Sequence, residues 1–149
     1  MSFLKRGKKT EEEFAKLFKS HKRSSKSQDI NEHWDLEISH KIDVKGLKKV
    51  RRADSDVNEH FHWVEIKNVH GNSGWLYGEA DYFAFELQSF WVIVSKEDLQ
   101  NRIAKKTIKT YYDSPTVYGL YQRKGRKDVM TIVPSYDLCS IATAMVEKE

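Results

Sequence analysis

Three short stretches of the chain alternate apolar with charged or polar side chains: Trp34-Asp35-Leu36-Glu37-Ile38, Ile42-Asp43-Val44-Lys45 and Phe61-His62-Trp63-Val64-Glu65-Ile66-Lys67. A period of two marks a strand with one covered face, and wound as a helix the same residues would scatter their apolar atoms around the axis. Two unbroken apolar runs, Tyr82-Phe83-Ala84-Phe85 and Phe90-Trp91-Val92-Ile93-Val94, read as strands covered on both faces.

Helical signals surround these strands. Thr10-Glu11-Glu12-Glu13 reads as a capping box and Phe14, Leu17 and Phe18 as an apolar stripe, which predicts a helix over about 10–21. The polar stretch 24–32 predicts a loop. Gly71-Asn72-Ser73-Gly74 is a turn, followed by a short helix over about 75–81. Ser95 opens a helix to about residue 108, segments 117–121 and 129–133 form a hairpin, and Ser135 or Asp137 caps a last helix to about Val146. The order α-β-β-β-(α)-β-β-α-β-β-α predicts an α/β or α+β fold with a mixed sheet. At 149 residues the chain reads as one domain over 1–149, with its core over about 7–110 and a C-terminal hairpin and helix over about 111–149.

Aromatic residues make up 12% of the chain, too many for disorder even with 32% of residues charged. The single cysteine, Cys139, excludes an intramolecular disulfide and a cysteine-built zinc cage, and it predicts a reducing, cytoplasmic compartment. No apolar run approaches the roughly 18–20 residues of a membrane span. The start, Met1-Ser2-Phe3-Leu4-Lys5-Arg6-Gly7, is too short and too charged for a signal peptide.

The alternation sorts the polar residues of the three strands. Leu36 and Ile38 share a face, as do Ile42 and Val44, and Val64 and Ile66. A three-residue connection, Ser39-His40-Lys41, pairs Ile38 with Ile42 and Leu36 with Val44, whereas a two-residue turn sets Leu36 against Asp43 and mixes the faces. The predicted product is a three-strand surface with Asp35, Glu37, Asp43, Lys45, Glu65 and Lys67 on its polar side. Carboxylates gathered so closely repel unless a cation neutralises them, and hard oxygen ligands suit Mg²⁺. A carboxylate-held Mg²⁺ activates water and stabilises charge on a phosphoryl oxygen. Glu11, three residues before Phe14, sits on the apolar side of the predicted helix and can turn towards the same patch. A solvated, salt-bridged strand face explains the same residues without function. An acidic residue two before a lysine arises about three times by chance in such a composition, and it occurs twice here.

Glu11 on a helix, Asp35 or Asp43 on a hairpin, and Asp43-Val44-Lys45 or Glu65-Ile66-Lys67 on the next strand resemble the PD-(D/E)xK nuclease superfamily. Gly7-Lys8-Lys9-Thr10-Glu11 resembles the helix entry of its resolvase-like members. Trp63-Val64-Glu65-Ile66-Lys67-Asn68-Val69, Gly74-Trp75-Leu76-Tyr77-Gly78 and Ala80-Asp81-Tyr82 look similar to small phage nucleases. The likeness covers about residues 7–95. It implies a restriction-endonuclease-like αβββαβ core and a Mg²⁺-dependent DNA endonuclease, with Mn²⁺ as a substitute, of structure-specific or resolvase-like type. The chain departs from the pattern in lacking a proline before either candidate Asp, and the motif fits two registers. One uses Asp35 with Asp43 and Lys45 and leaves Glu65 as an extra ligand. The other uses Asp43 with Glu65 and Lys67, and suits the three-strand order better. The resemblance thus implies Asp43, Glu65 and Asp35 as metal ligands, Lys67 or Lys45 serving the nucleophile, and Glu11 in support.

Lys and Arg number 26 against 22 Asp and Glu, and the basic residues are clustered. Residues 1–26 hold nine Lys or Arg against three Glu. Lys48, Lys49, Arg51 and Arg52 form a second cluster, and Arg123, Lys124, Arg126 and Lys127 crowd the predicted hairpin tip. Such patches suit a phosphate backbone, so DNA is the expected partner, with a homodimer where both strands are cut. Trp75 and Tyr77 read as core, or as platforms for stacked bases. His33, His40, His60, His62 and His70 fit surface or DNA-contacting roles better than a zinc site. The alternative function is a nucleic-acid-binding module on the same fold that does not cut.

Overall fold

The computed structural model describes residues 3–16, 22–37 and 40–148. Its helices are α1 (Phe3–Ala15), α2 (Lys26–Glu32), α3 (Lys96–Lys106) and α4 (Ser135–Ser140), with a 3-10 turn at Trp75–Tyr77. Its strands are β1 (Lys22–Arg23), β2 (Leu36–Glu37), β3 (Lys41–Lys45), β4 (Phe61–Lys67), β5 (Tyr82–Glu86), β6 (Phe90–Ser95), β7 (Ile108–Tyr112), β8 (Gly119–Tyr121), β9 (Val129–Pro134) and β10 (Ala144–Glu147).

Helix α1 begins upstream of Thr10, whose hydroxyl donates to the Arg6 carbonyl at 3.1 Å instead of capping a helix start. The Lys- and Arg-rich residues before Thr10 are good helix formers and carry the helix through it. Leu17 and Phe18 of the predicted stripe lie outside the described residues. Phe14 meets Trp91 edge to face, with ring centroids 4.9 Å apart. The stretch 24–32 holds α2 rather than a loop. Ser25 and Gln28 each accept from the other's backbone N–H, closing a capping box. The helix buries none of its side chains, so no apolar stripe announces it.

One mixed sheet was the expectation; the strands form two. The first has six strands in the order β1-β2-β3-β5-β6-β10, and the second has four in the order β4-β9-β8-β7. In the first, Leu36 pairs with Ile42 and Glu37 with Lys41, two residues away from the predicted Ile38–Ile42 register. A slide of two keeps every side chain on its face but brings Asp35, not Glu37, alongside Asp43. Ile38 and Ser39 lie outside the described residues.

The three-strand surface does not form. The free edge of β3 is taken by β5 in a parallel pairing, which sets Asp43 beside Phe83 and Lys45 beside Phe85. Residues 46–60 carry the chain across to the second sheet, where β4 pairs with β9. Glu65 and Lys67 therefore reach the Asp43 region only across the space between sheets.

That space holds Trp34, Val64, Leu76, Phe83, Phe85, Val94 and Val133, with Leu99 and Ile103 of α3 closing one side. Ser95 caps α3 as predicted, accepting from Asp98 N–H at 3.1 Å. A second cluster, Phe14, Leu36, Ile42, Val44, Ala84 and Trp91, seats α1 on the other face of the larger sheet. The predicted final helix stops at Ser140, and β10 follows as an antiparallel partner of β6, with Val146 opposite Trp91. The last segment is thus woven into both sheets through β9 and β10. The class is α+β, and no described helix is long and apolar enough to cross a membrane.

Candidate functional site

The register of β2 and β3 builds the centre of the site. Asp35 donates its N–H to the Ile42 carbonyl at 2.9 Å, and its Oδ2 accepts from the Val44 N–H at 2.6 Å. Asp35 and Asp43 are thereby held side by side, 4% and 5% exposed. Lys45 Nζ stands 2.9 Å from Asp43 Oδ2, and 4.2 Å from the centre of the Trp75 indole, within cation–π range. The buried Asp43 carboxylate thus has the Lys45 ammonium as its charged partner and Asp35 beside it.

Helix α1 brings Glu11 to the same cluster. Glu11 Oε2 accepts from Arg23 Nη2 at 2.6 Å, and Arg23 Nε also donates to the Asp35 carbonyl at 3.2 Å. Burial, then the neighbouring Asp35, push the Glu11 pKa up to about 8 against the pull of Arg23. Burial also raises Asp43 to about 7; Lys45 opposes that shift and Asp35 adds to it. Three carboxylates thus face two cations, Arg23 and Lys45. A cavity of about 170 Å³ opens beside them, lined by Arg6, Thr10, Glu11, Lys45, Leu47 and Lys48.

Glu65 approaches from the second sheet. Its Oε1 accepts from the Trp75 backbone N–H at 3.2 Å, holding the main chain of the residue on whose ring Lys45 rests. A Cβ at Gly74 would collide with the Glu65 carbonyl and Cγ, so glycine is what lets the turn come this close. Lys48 feels the charges of Lys45, Asp43 and Glu65. Although the residue as a whole stays exposed, partial burial of its ammonium, then the Lys45 charge, lower its pKa. Lys67 is elsewhere. The β4–β9 register shifts between Glu65 and Lys67, and Lys67 is exposed in a depression with Ile30, His33, Asn68 and Tyr77.

Among the predicted phosphate contacts, Lys48, Arg51, Arg52 and Arg123 line one groove with Trp63 and Tyr121. Lys49 is exposed, and its carbonyl accepts from Trp63 Nε1 at 3.0 Å. Lys124, Arg126 and Lys127 are exposed on the turn before β9. Sequence reasoning left out Arg23, Glu86 and the role of Trp75. Glu86 anchors the segment after Lys45, accepting from Leu47 N–H at 2.9 Å and from Lys148 Nζ at 2.7 Å. A lone Glu ending an apolar run was its only signal. His62 is buried against Phe85 with no partner for Nε2, and burial pushes its pKa down to about 4.

Among the described residues, no group of three His, Cys, Asp or Glu stands in metal-holding geometry. The carboxylates that do gather, Asp35, Asp43 and Glu11, are hard oxygen donors of the kind a divalent cation takes, with Arg23 and Lys45 paired to two of them. No family model matches the chain, and no curated protein or solved structure matches it either.

Proposed function

We propose that this chain is a divalent-metal-dependent DNA endonuclease, on a restriction-endonuclease-like arrangement, that hydrolyses phosphodiester bonds. The observation that carries the reading is the buried pair Asp35 and Asp43 with the Lys45 ammonium 2.9 Å from Asp43 Oδ2. Asp35 and Asp43 would hold Mg²⁺ or Mn²⁺, with Glu65 and Glu11 close by. Such an ion supplies a more acidic bound water and positive charge for a phosphoryl oxygen. The chain's own groups do the rest. Lys45, pinned on Trp75, presents a fixed ammonium to charge developing on the phosphate, and preorganised charge costs no rearrangement during reaction. Lys48, Arg51 and Arg52 hold the flanking backbone. A cut through both strands would take two copies of the chain.

The assay is cleavage of plasmid and branched DNA with Mg²⁺, Mn²⁺ or EDTA. Nicking that requires the metal and drops at least about a hundredfold in Asp43→Asn and Lys45→Ala supports the reading. Undiminished cleavage in EDTA overturns it.

A second reading draws on the contacts of Arg23 with Glu11 and of Lys45 with Asp43, which already neutralise two of the carboxylates. On that reading the fold binds DNA without cutting it. Metal-independent binding with no cleavage of any substrate separates it from the first.

A further inference from the structure

A groove of about 480 Å³ runs over the second sheet, floored by Met130 and walled by Trp63 and Tyr121. The two rings stand 5.8 Å apart and tilted by 42°. Both residues are half-buried and line the groove. The Trp63 indole N–H is already spent on the Lys49 carbonyl, so this ring offers a ligand its face and edge, not a hydrogen bond. Lys48, Arg51, Arg52 and Arg123 surround the rings; Asp113 also lines the groove, and Asp128 holds Arg123 at 3.0 Å.

The groove adjoins the residues beside the carboxylate cluster. A smaller cavity shares Lys48, Trp63 and Met130 with it, and shares Lys45, Gly46 and Lys48 with the space beside Glu11. Aromatic faces set among cations are the chemistry that binds single-stranded nucleic acid, because an unstacked base offers a π-face and its backbone a charge. A base inside a duplex has both faces covered by its neighbours and cannot use the rings.

We propose that the substrate is DNA with an unpaired segment next to the cut, whose bases stack at Trp63 and Tyr121 while its phosphates follow Lys48, Arg51 and Arg52 to Asp43 and Lys45. This rests on the nuclease reading for the position of the scissile phosphate, and names the class of DNA that site takes.

The test measures binding of Asp43→Asn in EDTA to a labelled duplex and to the same duplex carrying a single-stranded flap. The flapped DNA is expected to bind about tenfold more tightly. Tyr121→Leu brings that ratio close to one, whereas Tyr136→Leu, on α4 and outside the groove, leaves it in place. Should Tyr121→Leu fail to fold, Trp63→Leu serves, and the ratio must fall by at least about half. Equal affinity for the two DNAs overturns the inference, and so does a ratio that survives both groove substitutions. Cleavage assays on the wild-type chain keep the two claims apart. Metal-dependent cutting without flap preference removes the groove and leaves the nuclease; flap preference without cutting removes the nuclease and leaves the groove.

Discussion

The backbone N–H of Val44 donates to the Asp35 carboxylate at 2.6 Å. Val44 lies between Asp43 and Lys45, so this bond ties the first acidic residue to the strand bearing the other two groups. The geometry of the cluster is therefore set by main chain, not by flexible side chains alone. Any cation or phosphate that enters meets groups already in place, which is what preorganisation requires.

Asp43→Asn should lose cleavage and gain stability. Burial raises the Asp43 pKa to about 7, so its contribution to stability is full below the ordinary carboxylate pKa and is lost as pH rises through 7. Asparagine carries no charge at any pH. In EDTA the variant should melt above the wild type at pH 8, by on the order of 1 kcal/mol or more, and the gap should close at pH 4. Thermal denaturation at the two pH values checks it; an equal or lower melting point at pH 8 refutes the buried-charge account.

The face pattern around this cluster was legible because strand periodicity survives a slide of two residues. Asp35 and Asp43 stay on one side of the β2–β3 pair whether Ile42 meets Ile38 or Leu36. The place of β4 was not legible. Nothing local in Phe61-His62-Trp63-Val64-Glu65-Ile66-Lys67 says that its partner is β9, more than sixty residues later, and long-range pairing leaves no trace in periodicity. That is why Lys67 looked equivalent to Lys45. The C-terminal strand escaped for a related reason: Ala144-Met145-Val146-Glu147 is amphipathic as helix or strand, and the bare edge of β6 decides.

Gly74→Ala should damage both fold and function. The added methyl meets the Glu65 carbonyl and Cγ, so the turn must retreat and take the Trp75 N–H away from Glu65. A loss of about 1–3 kcal/mol is expected from overpacking alone. Because Lys45 rests on Trp75, cleavage at saturating DNA should fall further than the folded fraction does. Denaturant melts paired with single-turnover rates on the same samples give the two numbers; wild-type rates in the folded fraction would detach Trp75 from the site.

Arg51→Ser and Arg52→Ser should each weaken DNA binding with a shallower salt dependence. An arginine bound to a phosphate displaces about one counterion, so the slope of log affinity against log salt should fall by about one per substitution. Titrations at several salt concentrations measure it, and a slope identical to the wild type would place these arginines off the DNA path.

His62 should set the acid limit of stability. Its ring packs edge-on to Phe85 with centroids 5.2 Å apart, and its Nε2 has no partner. Burial lowers its pKa to about 4, so the folded state keeps it neutral while the unfolded chain takes a proton below about 6.5. The neutral ring's contribution is complete above that pH and is lost as pH falls towards 4, the opposite limb from Asp43. His62→Phe removes the titration and the orphaned nitrogen while keeping a ring of similar shape. At pH 5 it should exceed the wild type by on the order of 2 kcal/mol, and at pH 7.5 the advantage should shrink to the value of the unpaired nitrogen. Combined with Asp43→Asn, it should flatten the pH–stability profile on both sides. Denaturant titrations across pH 4.5–8.5 read both limbs at once, and an acid limb unchanged in His62→Phe would mean that other groups control it.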